Sequence, residues 1–151
     1  MNMAYPVTLK TYSSRQVGAF FADVPEAITA GASEAEALDS ALDALVVALS
    51  GYLDDGRPLP YPSKAKRGQP VVVLPPRVAL KLAIYAAMRE QNITQAQLGE
   101  RLGIEGRQVR RVLDLDHESK LSQLEAALSA LGLRVAVSVS KVSPAPSSVA
   151  A

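Results

Sequence analysis

The stretch Gln95–Val112, QAQLGERLGIEGRQVRRV, decides how this chain reads. Leu98, Leu102, Ile104, Val109 and Val112 fall where two short crossing helices need apolar contacts. Gly99 stands at the crossing, where the lack of a side chain lets two backbones approach. Gly103 ends the first helix, because a left-handed cap position costs glycine little. Thr94 caps that helix, which is expected over about Gln95–Leu102, and a second is expected over about Glu105–Leu113. This is the pattern of a helix-turn-helix, whose second helix enters the major groove of DNA. An ordinary helical hairpin inside a bundle is the competing reading.

The second helix weighs against the hairpin. Val109, Val112 and Leu113 share its inner face, leaving Arg107 and Arg111 near the centre of the opposite one, with Gln108 and Arg110 beside them. Arginine pairs bidentately with guanine or phosphate, and glutamine with adenine. Together with Thr94 and Gln95, which open the first helix, and Glu105, which opens the second, these form the candidate DNA-binding set.

Outward from this motif, the chain divides by charge. Residues 1–56 hold two basic and eight acidic side chains, a net −6, and the rest is +7, although the total for the 151 residues is only +1. An acidic front joined to a basic back points to two modules with different partners. With 48% hydrophobic residues a core can form, and the absence of cysteine excludes disulfides and thiolate metal sites. The opening MNMAYPVTLK has no long apolar run, so neither a signal peptide nor a membrane span is expected, and a cytoplasmic location follows.

In the front module, Tyr5, Val7 and Leu9 alternate with polar or proline positions and read as a half-buried strand. Val17–Ala22 forms a hairpin partner, and Ala27–Ala30 a short third strand ended by Gly31. Ser33 and Glu36 make a capping box for a helix over about Glu34–Leu53, with Leu38, Leu42, Leu45, Leu49 and Leu53 along its stripe. Residues 57–68 hold three prolines and read as a linker or meandering loop, and Gln69–Leu74 as a fourth strand. Pro76 then opens a helix to about Gln91, with Leu80, Ile84 and Met88 on one face. A last helix carries Leu121, Leu124, Leu128 and Leu131 and ends at Gly132. Leu133, Val135, Val137 and Val139 then alternate with smaller or polar residues as a strand with no sheet nearby, which would pair with a second copy in a homodimer or higher oligomer. The expected organisation is α+β, with a small-sheet front domain over 1–74, a helical DNA-binding and dimerising domain over 76–141, and a disordered tail over 142–151.

The order of these elements resembles the HicB antitoxins of bacterial HicA–HicB toxin–antitoxin pairs. The carrying stretches are YPVTL (Tyr5–Leu9), DVPEAITAG (Asp23–Gly31), the helix from Glu34 and the exit DDGRPLPYPS (Asp54–Ser63), followed by a helix-turn-helix of the Cro/phage-repressor type. Many members read Asp-Leu-Pro-Gly-Cys where this chain reads Asp-Val-Pro-Glu-Ala, so contacts through that glycine–cysteine pair do not carry over. The resemblance implies a front domain like a truncated ribonuclease H fold that sequesters a small RNA-cleaving HicA-type toxin. It also implies a rear domain that represses the pair's own promoter. A basic RNA-binding toxin would meet the acidic front, and the candidate contacts are Asp23, Glu26, Glu36, Asp39 and Asp43.

Ribonuclease H likeness raises an enzymatic alternative. Two-metal hydrolysis needs converging carboxylates holding ions about 3.5–4 Å apart, and such nucleases place one on the first strand. Ala4–Thr11 contains no Asp or Glu, so no catalytic residue, metal or cofactor is expected. His117, the sole histidine, sits among acids in DLDHE and reads as a loop residue held by a nearby carboxylate or facing water. A transcription regulator with a metabolite-binding front domain remains the other functional reading, sharing the same rear domain.

Overall fold

The computed structural model describes residues 3–142, and it divides the first expected strand in two. Strand β1 (Ala4–Pro6) and strand β2 (Thr8–Thr11) are separated by Val7, where the chain changes hydrogen-bonding partner. Strand β3 (Val17–Phe20) pairs antiparallel with β2 and with β4 (Ile28–Gly31), giving the order β2-β3-β4. Beyond Val7 on the other side, β1 pairs antiparallel with β5 (Val71–Val73), in the register Tyr5 opposite Val72. Pro6 has no N–H to give a ladder, and the Val7 amide instead reaches Pro70 O at 3.0 Å. The second strand is shorter than Val17–Ala22, because Phe21 turns into the core.

Helix α1 (Glu34–Asp54) packs across the three-stranded sheet. Ser33 Oγ accepts from the Glu36 amide at 3.2 Å, and Glu36 Oε2 accepts from the Ala32 amide at 3.0 Å, so the capping box is closed from both sides. The innermost residues are Ala37, Ala41, Leu45, Leu49 and Tyr52, whereas Leu38, Leu42 and Leu53 sit half-buried at the margins. The expected leucine stripe is thus rotated. Small residues face the sheet where helix and β4 lie closest, and a Cβ on Gly31 would stand only 2.6 Å from the Ala37 amide nitrogen.

Residues 57–68 are a meandering loop laid against this unit. Leu59 is buried, Tyr5 donates its hydroxyl to Pro60 O at 2.8 Å, and Gln69 Oε1 accepts from the Lys66 amide at 2.9 Å. Burial draws the Tyr5 phenol up to about 12.

Helix α2 (Pro76–Gln91) follows, ended by Asn92 in the left-handed region at φ 54°. It serves two cores. Val78, Leu82 and Tyr85 pack with the strands and α1, while Ile84, Ala87 and Met88 pack with α3 (Gln95–Leu102), α4 (Gly106–Leu113) and α5 (Leu121–Ala130). Leu115, in the turn after α4, is also buried in the first core. Each fully buried aliphatic side chain contributes about 1.5–3 kcal/mol, so the junction is a packed one. The segment Leu133–Val142 forms no strand within a single chain. Leu133, Val137 and Val139 are exposed, and Val135 rests against the second core. Residues 143–151, which hold most of the expected tail, lie outside the described residues.

Candidate functional site

Capping chemistry builds the α3–α4 pair. Thr94 Oγ1 accepts from the Gln97 amide at 3.1 Å while Gln97 Oε1 accepts from the Thr94 amide at 2.9 Å. Gly103, at φ 65°, closes α3 in the left-handed region. A Cβ on Gly99 would meet Ile104 O at 3.0 Å and Val109 Cγ2 at 3.2 Å, so the bare glycine sets how closely α4 approaches. Glu105 stands at the start of α4, and its amide donates to Gln108 Oε1 at 3.1 Å. One end of the Gln108 side chain is therefore spent on holding the helix terminus.

Val109 and Val112 are buried, and Arg107, Gln108, Arg110 and Arg111 are exposed. Arg107, Gln108 and Arg111 share a shallow groove of about 910 Å³ between α3 and α4, with Ala96, Gly99 and Glu105 on its walls. Arg110 does not join them. With Gln95 it lines a separate cleft of about 480 Å³ whose other walls include Ser50, Asp54 and Asp116. Thr94 and Gln95 are exposed at the start of α3. Among the described residues Arg107, Arg110 and Arg111 make no ion pair, so their donors stay open to a ligand.

The five front carboxylates divide into two groups. Asp23 Oδ2 accepts from the Ser63 amide and hydroxyl at 2.9 and 3.0 Å, pinning the proline-rich loop. Glu26 accepts from the Tyr52 hydroxyl at 2.9 Å and from Arg57 at 3.0 Å, and the Arg57 guanidinium lies 3.8 Å from the centre of the Tyr52 ring. Its own backbone N–H and the Arg57 guanidinium hold the Glu26 carboxyl below the ordinary glutamate value, whereas burial and Glu26 itself push the Tyr52 phenol up. Glu36 is occupied by the cap of α1. Asp39 and Asp43 are exposed and have no hydrogen-bond or ion-pair partner among the described residues. Asp43 borders an open cleft of about 650 Å³ between edge strand β4 and α1, also walled by Glu26, Tyr52 and Arg57. Ile28 and Val47 stand in that cleft 62% and 69% exposed. Charge alone does not mark this apolar element, although Val47 lies off the α1 stripe and has no reason to be covered.

His117 is half-buried and borders a small cleft of about 180 Å³ with Gln108, Arg111 and Gln123. Among the described residues no group of three or more His, Cys, Asp or Glu could hold a metal ion, and no helix is long and apolar enough to cross a membrane. Lys81 escaped the sequence reading altogether. Its position between Leu80 and Leu82, in step with Val78 and Tyr85 on the inner face of α2, was the available signal.

This chain has the strands, helix and exit loop of a small α+β unit continuing into a helical one, and comparison with known proteins places it in a family. A family model described as the HicB_like antitoxin of bacterial toxin–antitoxin systems matches residues 4–83. The chain belongs to the HicB-like antitoxins. It is 36% identical over 91% of its length to Antitoxin HicB 1 of Photorhabdus laumondii, covering 88% of that protein. It is 35% identical over 86% of its length to Antitoxin HicB of Escherichia coli K12, covering 94% of it. It is 39% identical over 78% of its length to Antitoxin HicB of Pseudomonas fluorescens, covering 82% of it. The matched span ends at residue 83, inside α2, which agrees with Val78 and Leu82 belonging to the first core.

Proposed function

We propose that this antitoxin covers a small RNA-cleaving HicA-type toxin with its front unit and represses its own operon through its rear unit. The front unit is residues 1–74 completed by the first turns of α2, and the rear unit lies within 76–141. Inhibition by the front is by occlusion, with no chemistry of its own. A toxin that grips RNA must present basic surface, and Asp39 and Asp43 offer unpaired charge beside the apolar Ile28 and Val47. Family membership favours this over the metabolite-sensing reading.

The observation that carries the DNA-binding half is the grouping of Arg107, Gln108 and Arg111 over one groove, without ionic partners among the described residues, on a helix fixed by Gly99. In a helix-turn-helix, α4 would read base edges while Thr94, Gln95 and Glu105 hold the motif against the backbone. One such helix spans few base pairs. A homodimer joined through Leu133, Val135, Val137 and Val139 would place two half-sites about 10 base pairs apart, or a multiple of that. The test is operator binding by Arg107→Ala and Arg111→Ala, each expected to lose about 1–3 kcal/mol. Wild-type affinity in the double variant would remove the assignment.

A further inference from the structure

Lys81 is fully buried, and among the described residues its ammonium is not paired with a carboxylate. Nζ donates instead to three backbone carbonyls, Arg111 O at 2.8 Å, Asp114 O at 2.6 Å and His117 O at 2.7 Å. These are the end of α4 and the turn that leaves it. Short helices leave their last carbonyls without partners, and the negative end of the helix dipole gathers there. An ammonium has three protons and no lone pair, so three acceptors match it completely. Such a charge is costly to bury unless every proton is used, which makes an incidental lysine here implausible on energetic grounds.

The geometry points to Lys81 as a positioning residue for the DNA-reading helix, holding the end of α4 on α2 so that the Arg107–Arg111 groove keeps one orientation. This rests on the DNA-binding reading above. Arg111 makes the connection direct, since its carbonyl is held by Lys81 while its side chain lines the groove. Ser119 Oγ supports the same carbonyl at 3.4 Å, and Leu115 anchors the turn in the first core. Gly99 thus sets the start of α4 and Lys81 its end.

A pH signature follows. The charged or titratable groups carried by the surrounding segments include Arg77 and Tyr85 on α2, Arg110 and Arg111 on α4, and Asp114, Asp116, His117 and Glu118 in the turn, with Glu118 bridged to Arg77 at 3.4 Å. Burial draws the Lys81 ammonium down to about 8, Asp114 opposes that pull and Arg77 adds to it. Above that pH the amine keeps two protons for three carbonyls and turns a lone pair on the third. The unfolded lysine stays protonated to about 10.4. Between the two values the unfolded chain holds more protons at this site, so the titration of Lys81 by itself favours the folded chain as pH rises and does not unfold it in this window.

The experiment measures binding of the full-length protein to a labelled duplex covering the promoter region of its own operon, at constant ionic strength. For wild type, affinity should fall at least about tenfold, the loss of one good base contact, between about pH 7 and about pH 9.5 while circular dichroism stays native. Lys81→Met should bind weakly at both pH values, with a flat profile. A Lys81→Met protein that binds as tightly as wild type overturns the inference alone, and so does a flat wild-type profile, which decides the matter if the variant fails to fold. A wild type that never binds the duplex overturns the DNA-binding reading and this inference with it.

Discussion

Two glycines in and beside α1 should respond to the same substitution with opposite signs. Gly31 ends β4, and a Cβ there would lie 2.6 Å from the Ala37 nitrogen and 2.9 Å from the Glu36 carbonyl carbon. Both are backbone atoms of the first turn of α1, held in place because the Ala37 amide donates to Ser33 O at 2.9 Å. Gly31→Ala must push that turn off the sheet, lifting the fully buried Ala37 and Ala41 seam and loosening the Ser33 cap. Overpacking costs about 1–3 kcal/mol and a weakened cap about 1 kcal/mol, offset by about 0.5–1 kcal/mol of backbone entropy. A net loss of about 2 kcal/mol follows, or roughly 4–8 °C in Tm for a chain this size. Gly51 lies inside α1 with nothing within 4 Å of its missing Cβ, so Gly51→Ala should stabilise by up to about 1 kcal/mol. Urea unfolding at constant m-value measures both. An unchanged midpoint for Gly31→Ala would refute the close approach on which the helix–sheet packing rests.

Glu26 has a carboxyl held below its ordinary value of 4.5, so it contributes stability above that pH that is lost as acid protonates it. The acid limb of unfolding should therefore be shallower in Glu26→Gln than in wild type, and identical limbs would show that the Arg57–Tyr52 pairing has no weight. On the proposed function, reversing Asp39 and Asp43 to lysine should slow association with a HicA-type toxin and flatten its salt dependence, read by stopped-flow, without moving Tm by more than about 2–4 °C. The same reversal at Asp23 would instead unpin Ser63 and lower stability. Deleting residues from Leu133 onward should shift light scattering toward the monomer and weaken operator binding, and an unchanged oligomer would exclude that segment as the main contact.

A cut at Leu74, where the prolines invite one, would strip Val78, Leu82, Tyr85 and Leu115 from the first core. The charge change from acidic front to basic back is real in the sequence, but the packing does not break where the charge does. Helix α2 belongs to both sides because a helix can present two apolar faces to two neighbours.

What the sequence determined by itself was the helix ends that are set within a turn or two of chain, whereas which face of α1 lies on the sheet and the break at Val7 were not. Thr94, Ser33, Gly103 and Pro76 set helix ends through hydrogen bonds or backbone angles reaching three or four residues, and the observed bounds of α2 and α3 match the expected ones. The face of α4 that carries Arg107 and Arg111 followed from periodicity alone. Partners far along the chain were decided only by the tertiary structure. Asp23 and Ser63 are 40 residues apart and Tyr52 and Glu26 are 26 apart, so no local pattern could reveal that two candidate docking carboxylates were already engaged. Periodicity sets Arg110 to one side of Arg107, Gln108 and Arg111, but that Ser50 and Asp54 of α1 wall the cleft it lines was decided by the tertiary packing. Lys81 meets carbonyls 30 to 36 residues away, and backbone acceptors are present at every position whatever the side chains. A buried charge satisfied by main chain leaves no mark in sequence beyond its own unexpected presence among apolar residues.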